Sequence, residues 1–257
     1  MYATDEAAES YNLENENSLW GKPELLSKIT ILRQSHAKEW THVKHGKRTI
    51  IDVNANTRTE RLAACRNYLL EEVKRKAGNT FDETIVVMMD LDEVNVAPFN
   101  MGVIENTLLH ESQWDYLAFN RDPYYDFWAL RHEWYNENIM VASPNHIEDR
   151  RKWERFTRHK LEFAENWRNQ YSSREIFPVY STFNGIIFLK MKDTNECYYE
   201  GLDNGYEECE HVIFTTCLRE EKNLRVMQHH GSILSERDWI WVDEYEHQKI
   251  WKALMGI

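Results

Sequence analysis

Apolar residues change period along this chain, and the changes mark its elements. Residues 85–89 (IVVMM) are a continuous apolar run that stops at Asp90. A run of this kind predicts a strand covered on both faces, central in its sheet. Residues 57–76 (TRTERLAACRNYLLEEVKRK) have helical spacing instead. Leu62, Cys65, Leu69 and Val73 make its apolar stripe, and Gly78 is a natural stop. Further strands are expected at 28–32, 48–53, 115–120, 126–130, 185–189 and 224–227. Helices are expected at 23–28, 101–110, 207–219 and 239–254, with a long charged one at 148–170. Strands alternating with helices predict an α/β fold with a mostly parallel sheet.

Composition narrows this picture. No Ser/Gly- or Pro-rich linker divides the 257 residues, so a single domain over 1–257 is expected, with an irregular start at 1–18. The net charge of −12 argues against a nucleic-acid partner, because tracking phosphates needs a positive surface. One anionic small ligand stays compatible with it, since a cation and a few arginines make a local positive site. The four cysteines form no CxxC pair and read as free thiols in a reducing compartment. Neither a membrane span nor a signal peptide is visible, and a soluble, cytoplasmic protein is expected. Ten Trp and thirteen Tyr fit a carbohydrate site, where rings stack on sugar C–H faces.

The chemistry gathers at a few places. Asp90 and Asp92 end the apolar run, and ligands of open α/β sheets bind at that strand edge. Two such carboxylates suit Mg²⁺ or Mn²⁺ bridging to phosphate oxygens. The helix at 57–76 carries Arg58, Arg61 and Arg66 beside Asn67, and arginine suits bidentate phosphate contacts. Tyr124 to Arg131 mixes rings, a carboxylate (Asp126) and a guanidinium, the chemistry of a sugar hydroxyl pocket. Gly185, after Phe183 and Asn184, permits close backbone approach to a ligand. Glu208, Cys209, Glu210 and His211 open a helix, and His229 and His230 follow the last strand.

Taken in order, RTERLAACRN, VVMMDLDEV, YYDFWALR, FNGIIFLK and ECEHVIF resemble a group of GT-A glycosyltransferases. That group includes fungal capsule-associated mannosyltransferase-like proteins and glycosyltransferase domains of large algal viruses. The likeness runs from Glu14 to His230. It implies a single Rossmann-like GT-A domain with helices flanking the sheet, and a host-cytoplasm location if the chain is viral. It also implies a nucleotide-sugar donor (a UDP-sugar favoured, a GDP-sugar as alternative), Mn²⁺ or Mg²⁺, and an oligosaccharide or glycoprotein glycan as acceptor. Asp90 and Asp92 match the metal-binding DxD, with Asp92 favoured as direct ligand. His229 or His230 matches the C-terminal metal-ligating histidine. Arg58 and Arg61 fall near the diphosphate, with Arg66 on the same helix. Asp126, Trp128, Arg131, Asn184 and Gly185 line the sugar and donor pocket. Glu208 or Glu210 matches the carboxylate that deprotonates the acceptor, with Asp126 as the alternative base.

Two other classes share parts of this pattern. MMDLDEV fits the first motif of haloacid-dehalogenase-type phosphatases, in which Asp90 would be a nucleophile. Those enzymes normally place the motif on their first strand. A carbohydrate-binding module without catalysis would use the aromatics and leave Asp90 and Asp92 without a task.

Overall fold

The computed structural model describes residues 57–90, 98–120, 128–133, 175–192 and 196–234, single residues between these stretches, and the backbone of 2–3, 32–33, 44–45 and 48–49. The predicted elements at 23–28, 148–170 and 239–254 lie outside the described residues. Five strands form the main sheet: β1 (Ile85–Met89), β2 (Tyr116–Asn120), β3 (Ile176–Pro178), β4 (Ile186–Lys190) and β5 (Val226–Ser232). Their spatial order is β1-β4-β2-β5-β3. The helices are α1 (Arg58–Ala77), α2 (Met101–Leu109) and α3 (Glu210–Thr216), which continues into a π-helical turn, Cys217–Glu221.

The mixed α/β expectation holds. This five-stranded sheet is mixed and mostly antiparallel, not mostly parallel: within it only β2 and β5 pair in parallel, and the other three pairings are antiparallel. β1 is an edge strand of this described sheet rather than its centre, and Val87 is 49% exposed. An apolar run shows that a strand is suited to burial without showing how many neighbours it has. The described residues of the strand expected at 126–130, Asp126 and 128–130, are not in a strand. The Asp126 carboxylate accepts the Ala129 N–H at 3.1 Å and holds the chain in a turn. β3, in contrast, was not anticipated.

Core residues pack on both sheet faces. Met88, Tyr116, Ala118, Phe177, Ile187 and Leu189 meet α1 and α3 through Ala63, Leu70, Phe214 and Leu218. On the opposite face Leu117, Phe119, Ile186 and Phe188 form a second core, with Val103 and Ile104 of α2 packed against it. This gives three layers, helix pair, sheet and helix, the usual way of covering both faces of a sheet.

α1 is fixed by its ends and by a polar face. Thr57 and Glu60 form a reciprocal capping box. The expected stripe of Leu62, Cys65, Leu69 and Val73 is only half-buried; Thr59, Ala63, Ala64, Arg66, Asn67, Tyr68, Leu70 and Glu72 are the buried residues instead. The face is wetter than periodicity suggests because each polar group on it has a partner. Asn67 donates to Tyr199 O and accepts from Tyr199 N, both at 2.8 Å. The Thr59 hydroxyl stands 2.8 Å from Glu207 Oε1 and 3.1 Å from Gly201 O, and its one proton is offered between these two acceptors. Gly201 is required here, since a Cβ on it would fall 2.2 Å from Glu60 N.

Cys197 and Cys217 form a disulfide, while Cys65 and Cys209 are free. This corrects the expectation of four free thiols: the partners are 20 residues apart, a spacing that carries no sequence signature. Among the described residues no helix is long and apolar enough to cross a membrane.

Candidate functional site

The apolar run of β1 delivers Asp90 to the open end of the sheet. Asp90 N donates to Gly185 O at 2.9 Å, extending the β1–β4 ladder by one bond. Asn184 and Gly185 hold positive φ values of 52° and 91°, a tight turn that glycine tolerates and asparagine accepts. Asn95 Nδ2 fastens the same corner, donating to Asp90 O at 2.7 Å and to Gly185 O at 3.1 Å. Asn184 reaches across it, with Nδ2 donating to Phe119 O at 3.1 Å and Oδ1 accepting from Asp126 N at 3.4 Å. Two of the expected site positions, Asn184 and Gly185, therefore build the corner on which Asp90 and Asp126 stand.

Arg66 is the hub. It projects from the buried face of α1 and is 8% exposed. Its Nη2 lies 3.2 Å from Asp90 Oδ1 and its Nε lies 3.0 Å from Glu210 Oε1. The guanidinium also sits 4.6 Å from the Phe183 ring centroid. Burial alone would lower its pKa; the carboxylates of Glu210 and Asp90 outweigh that and raise it, so the charge is permanent.

Asp126 faces the same hub. Burial pushes its carboxyl up to about 7, with Glu210 and Asp90 adding to the rise and the Ala129 N–H and Arg66 opposing it. Asp90 and Glu210 thus share one guanidinium with Asp126 close enough to feel all three, an excess of negative charge at the strand edge. Protonation of Asp126 relieves part of that excess, and a cation would relieve it otherwise.

Glu208 and Glu210 have separate tasks. Glu208 is 6% exposed, bonds Arg131 Nη2 at 2.9 Å and accepts from its neighbour Cys209 N at 2.7 Å. Burial raises its pKa against the pull of Arg131. Arg131 Nη1 donates to Trp128 O and Leu130 O, both at 2.7 Å. This pair pins the turn at 128–131 to the start of α3, and Arg131 is committed to it instead of lining a pocket. Trp128 is half-buried against the core.

The remaining expected residues lie elsewhere. Arg58 and Arg61 are exposed at the start of α1, and Arg61 donates to Ala55 O at 3.0 Å. Asp92 lies outside the described residues, as do Tyr124, Tyr125 and Phe127. His229 sits on the α2 face of the sheet, opposite to Arg66: it packs against Phe119 at 5.8 Å, its Nδ1 accepts Gly231 N at 2.8 Å and its Nε2 meets Asn106 Oδ1 at 3.4 Å. Burial lowers its pKa. β5 stands three strands from β1, about 14 Å at the usual strand spacing, so neither His229 nor His230 is brought to Asp90. Among the described residues no three His, Cys, Asp or Glu side chains gather in a way that could hold a metal ion.

Two rings at the site had no distinguishing sequence signal. Tyr199 stands 5.9 Å from the Arg66 guanidinium and stacks on Phe214 at 4.1 Å. Burial raises its hydroxyl's pKa. Tyr116, read only as part of a strand, bonds Thr182 O at 2.5 Å and approaches His211 Nδ1 at 3.3 Å. His211 itself is 1% exposed and lies 3.8 Å from Phe183, ring on ring.

No protein-family model, curated protein or solved structure matches this chain.

Proposed function

We propose that the chain is a metal-dependent glycosyltransferase, moving a sugar from a nucleoside-diphosphate donor to a glycan hydroxyl. The observation that carries this reading is the pairing of Asp90 and Glu210 with the one buried Arg66 at the open end of β1, near enough to Asp126 to act on its carboxyl. Such an arrangement supplies hard oxygen donors, a permanent cation and a titrating carboxyl within one site. Mg²⁺-type sites commonly use one or two carboxylates and complete their shell with substrate phosphates and water. Asp90 together with Asp92 fits that requirement, and the described residues need supply only the first. When bound, a divalent cation would offset charge developing on the departing diphosphate. Mn²⁺ or Mg²⁺ and a UDP-sugar are the first choices for a test, with GDP-sugars next.

In this reading Arg66 keeps Asp90 and Glu210 apart and oriented. Asp126, whose carboxyl titrates near neutrality, bonds a sugar hydroxyl as donor or acceptor. Glu210 takes the proton of the acceptor hydroxyl. The acceptor oxygen bonds the anomeric carbon as the bond to the diphosphate oxygen breaks, and that electron pair leaves with the diphosphate. The GT-A fold and the glycan partner belong to the same proposal. A cytoplasmic location fits it less well, because a disulfide such as Cys197–Cys217 persists best in oxidising surroundings.

The test is a panel of nucleotide-sugars assayed for nucleoside-diphosphate release. Release with at least one donor should need Mn²⁺ or Mg²⁺, vanish in EDTA and vanish in Asp90→Asn. Full activity in EDTA would remove the cation from the proposal. Hydrolysis of simple phosphate esters, lost in Asp90→Asn, would identify a phosphatase instead.

A further inference from the structure

His211 holds an unusual position for a buried imidazole. Its side chain is 1% exposed, yet Nε2 has no hydrogen-bond partner and lies 3.8 Å from Glu210 Oε1. A buried polar atom left unpaired is costly, and buried polar atoms are normally paired.

Hydrogen-bond logic fixes where the imidazole proton sits. Tyr116 has one hydroxyl proton. Thr182 O can only accept, and it stands 2.5 Å from that hydroxyl, so the proton is spent there. The contact between Tyr116 Oη and His211 Nδ1 at 3.3 Å must then be donated by the ring. His211 is protonated at Nδ1, and its bare Nε2 lone pair faces the Glu210 carboxylate. Two acceptors face one another without a proton between them, which explains their separation of 3.8 Å.

We propose that His211 is a positioning residue that makes Glu210 a proton acceptor, by presenting the Nε2 lone pair to the hydroxyl that Glu210 acquires on protonation. The lone pair gives the ionised carboxylate nothing and gives the protonated one a hydrogen bond, so it favours the state reached during transfer. The balance is simple: the acceptor O–H loses its proton to Glu210, the new Glu210 O–H donates to Nε2, and the Nδ1 proton stays on His211, donated to Tyr116 Oη. Imidazole basicity is not used. Burial and the nearby Arg66 charge keep His211 neutral, as an acceptor must be. The other ionisable groups around Glu210 are Arg66 on α1, Asp90 after β1, Asp126, Cys209, whose thiol burial keeps protonated, and Tyr199.

The role of Glu210 as base rests on the proposed transferase reading; the proton arrangement of His211 does not. The first measurement is therefore made without substrate on the whole chain. Long-range ¹⁵N–¹H NMR of the histidine ring should show protonated Nδ1 and bare Nε2 at neutral pH, and a protonated Nε2 would overturn the proposal. The second is infrared spectroscopy at acidic pH. The carboxylic C=O band that disappears in Glu210→Gln should lie at lower frequency in wild type than in His211→Phe, which keeps the stack on Phe183. Equal frequencies mean no bond to Nε2 and overturn the proposal.

The third measurement is transfer itself. His211→Phe should lower kcat roughly tenfold or more with donor KM little changed, and move the acid limb of the pH–rate profile about one unit lower. His211→Gln, whose amide oxygen can accept at that reach, should recover part of the loss. A fall in kcat with an unmoved limb and no recovery by Gln indicates packing alone and overturns the proposal. No transfer with any donor, combined with the expected NMR and infrared results, would overturn the transferase reading and leave the Glu210–His211 pairing supported.

Discussion

Asn67 and Tyr199 exchange two hydrogen bonds, each 2.8 Å, between the α1 side chain and the backbone of a segment 132 residues away. An amide side chain here does what a neighbouring strand would do. It satisfies both the N–H and the C=O of one buried residue, and it sets the distance between α1 and the Tyr199 segment.

Asn67→Leu should leave that N–H and C=O without partners. The expected loss is about 2–4 kcal/mol, read as a lower midpoint in urea unfolding. Asn67→Asp keeps only the acceptor and should fall between. A loss below 1 kcal/mol, roughly that of an ordinary net bond, would mean that water replaces the clamp.

Gly201→Ala tests the same seam at its other end. The added Cβ would meet Glu60 N at 2.2 Å and Thr59 C at 2.4 Å, both backbone atoms that cannot swing away. Destabilisation of about 1–3 kcal/mol is expected for forced overpacking, with the start of α1 displaced. Unchanged thermal unfolding would contradict the close approach.

Glu208 and Glu210 should separate cleanly. Glu208→Gln leaves Arg131, itself 2% exposed, without its counter-charge, so a stability loss of roughly 3 kcal/mol is expected. Glu210→Gln should abolish most transfer, on the order of 10²-fold or more, with donor affinity nearly unchanged. Equal behaviour of the two variants in unfolding and in transfer would contradict the division of tasks.

Asp126 gives a pH dependence whose sign follows from its raised carboxyl. The folded group titrates near 7 and the unfolded one near 3.8. Between these values the folded state holds a proton that the unfolded state has released, so stability falls as pH rises through that window. Below about pH 4 both states are protonated and the term vanishes. Asp126→Asn should flatten the decline between these limits in urea unfolding. A wild-type profile that rises across the same window and is unchanged in the variant would contradict the assignment.

Several elements were legible because local rules decide them. The helix beginning at Thr57, the run of β1 and the strand β4 all declare themselves within a few residues. Asp90 at the end of an apolar strand and the carboxylates before α3 were legible for the same reason. Other features depend on partners far away in sequence. The buried face of α1 is polar because Tyr199, Gly201 and Glu207 receive it, and no periodicity contains that information. Asp126 turns the chain where alternation suggested a strand. Arg66 emerged as the hub over Arg58 and Arg61 because helix phase points only Arg66 into the core. His229 was expected just after the last strand, but β5 runs on through Ser232, so His229 lies within it and its side chain packs on the face opposite to Arg66.

The disulfide has a consequence for the chemistry. Cys197 and Cys217 close a ring whose ends are 20 residues apart, and Tyr199, Glu208, Glu210 and His211 all lie within it. The proposed base Glu210 and its partner His211 are carried by this one covalent macrocycle; Tyr116, Asp126, Arg66 and Asp90 meet it from outside. Before the chain folds, the ring already limits how far those groups can separate, an effect of about 3 kcal/mol for a loop of this size in the chain-entropy account. The base and its positioning residue are thereby pre-gathered by a sulfur–sulfur bond, while the half assigned to the anion and the cation is assembled only when α1 and β1 pack against it.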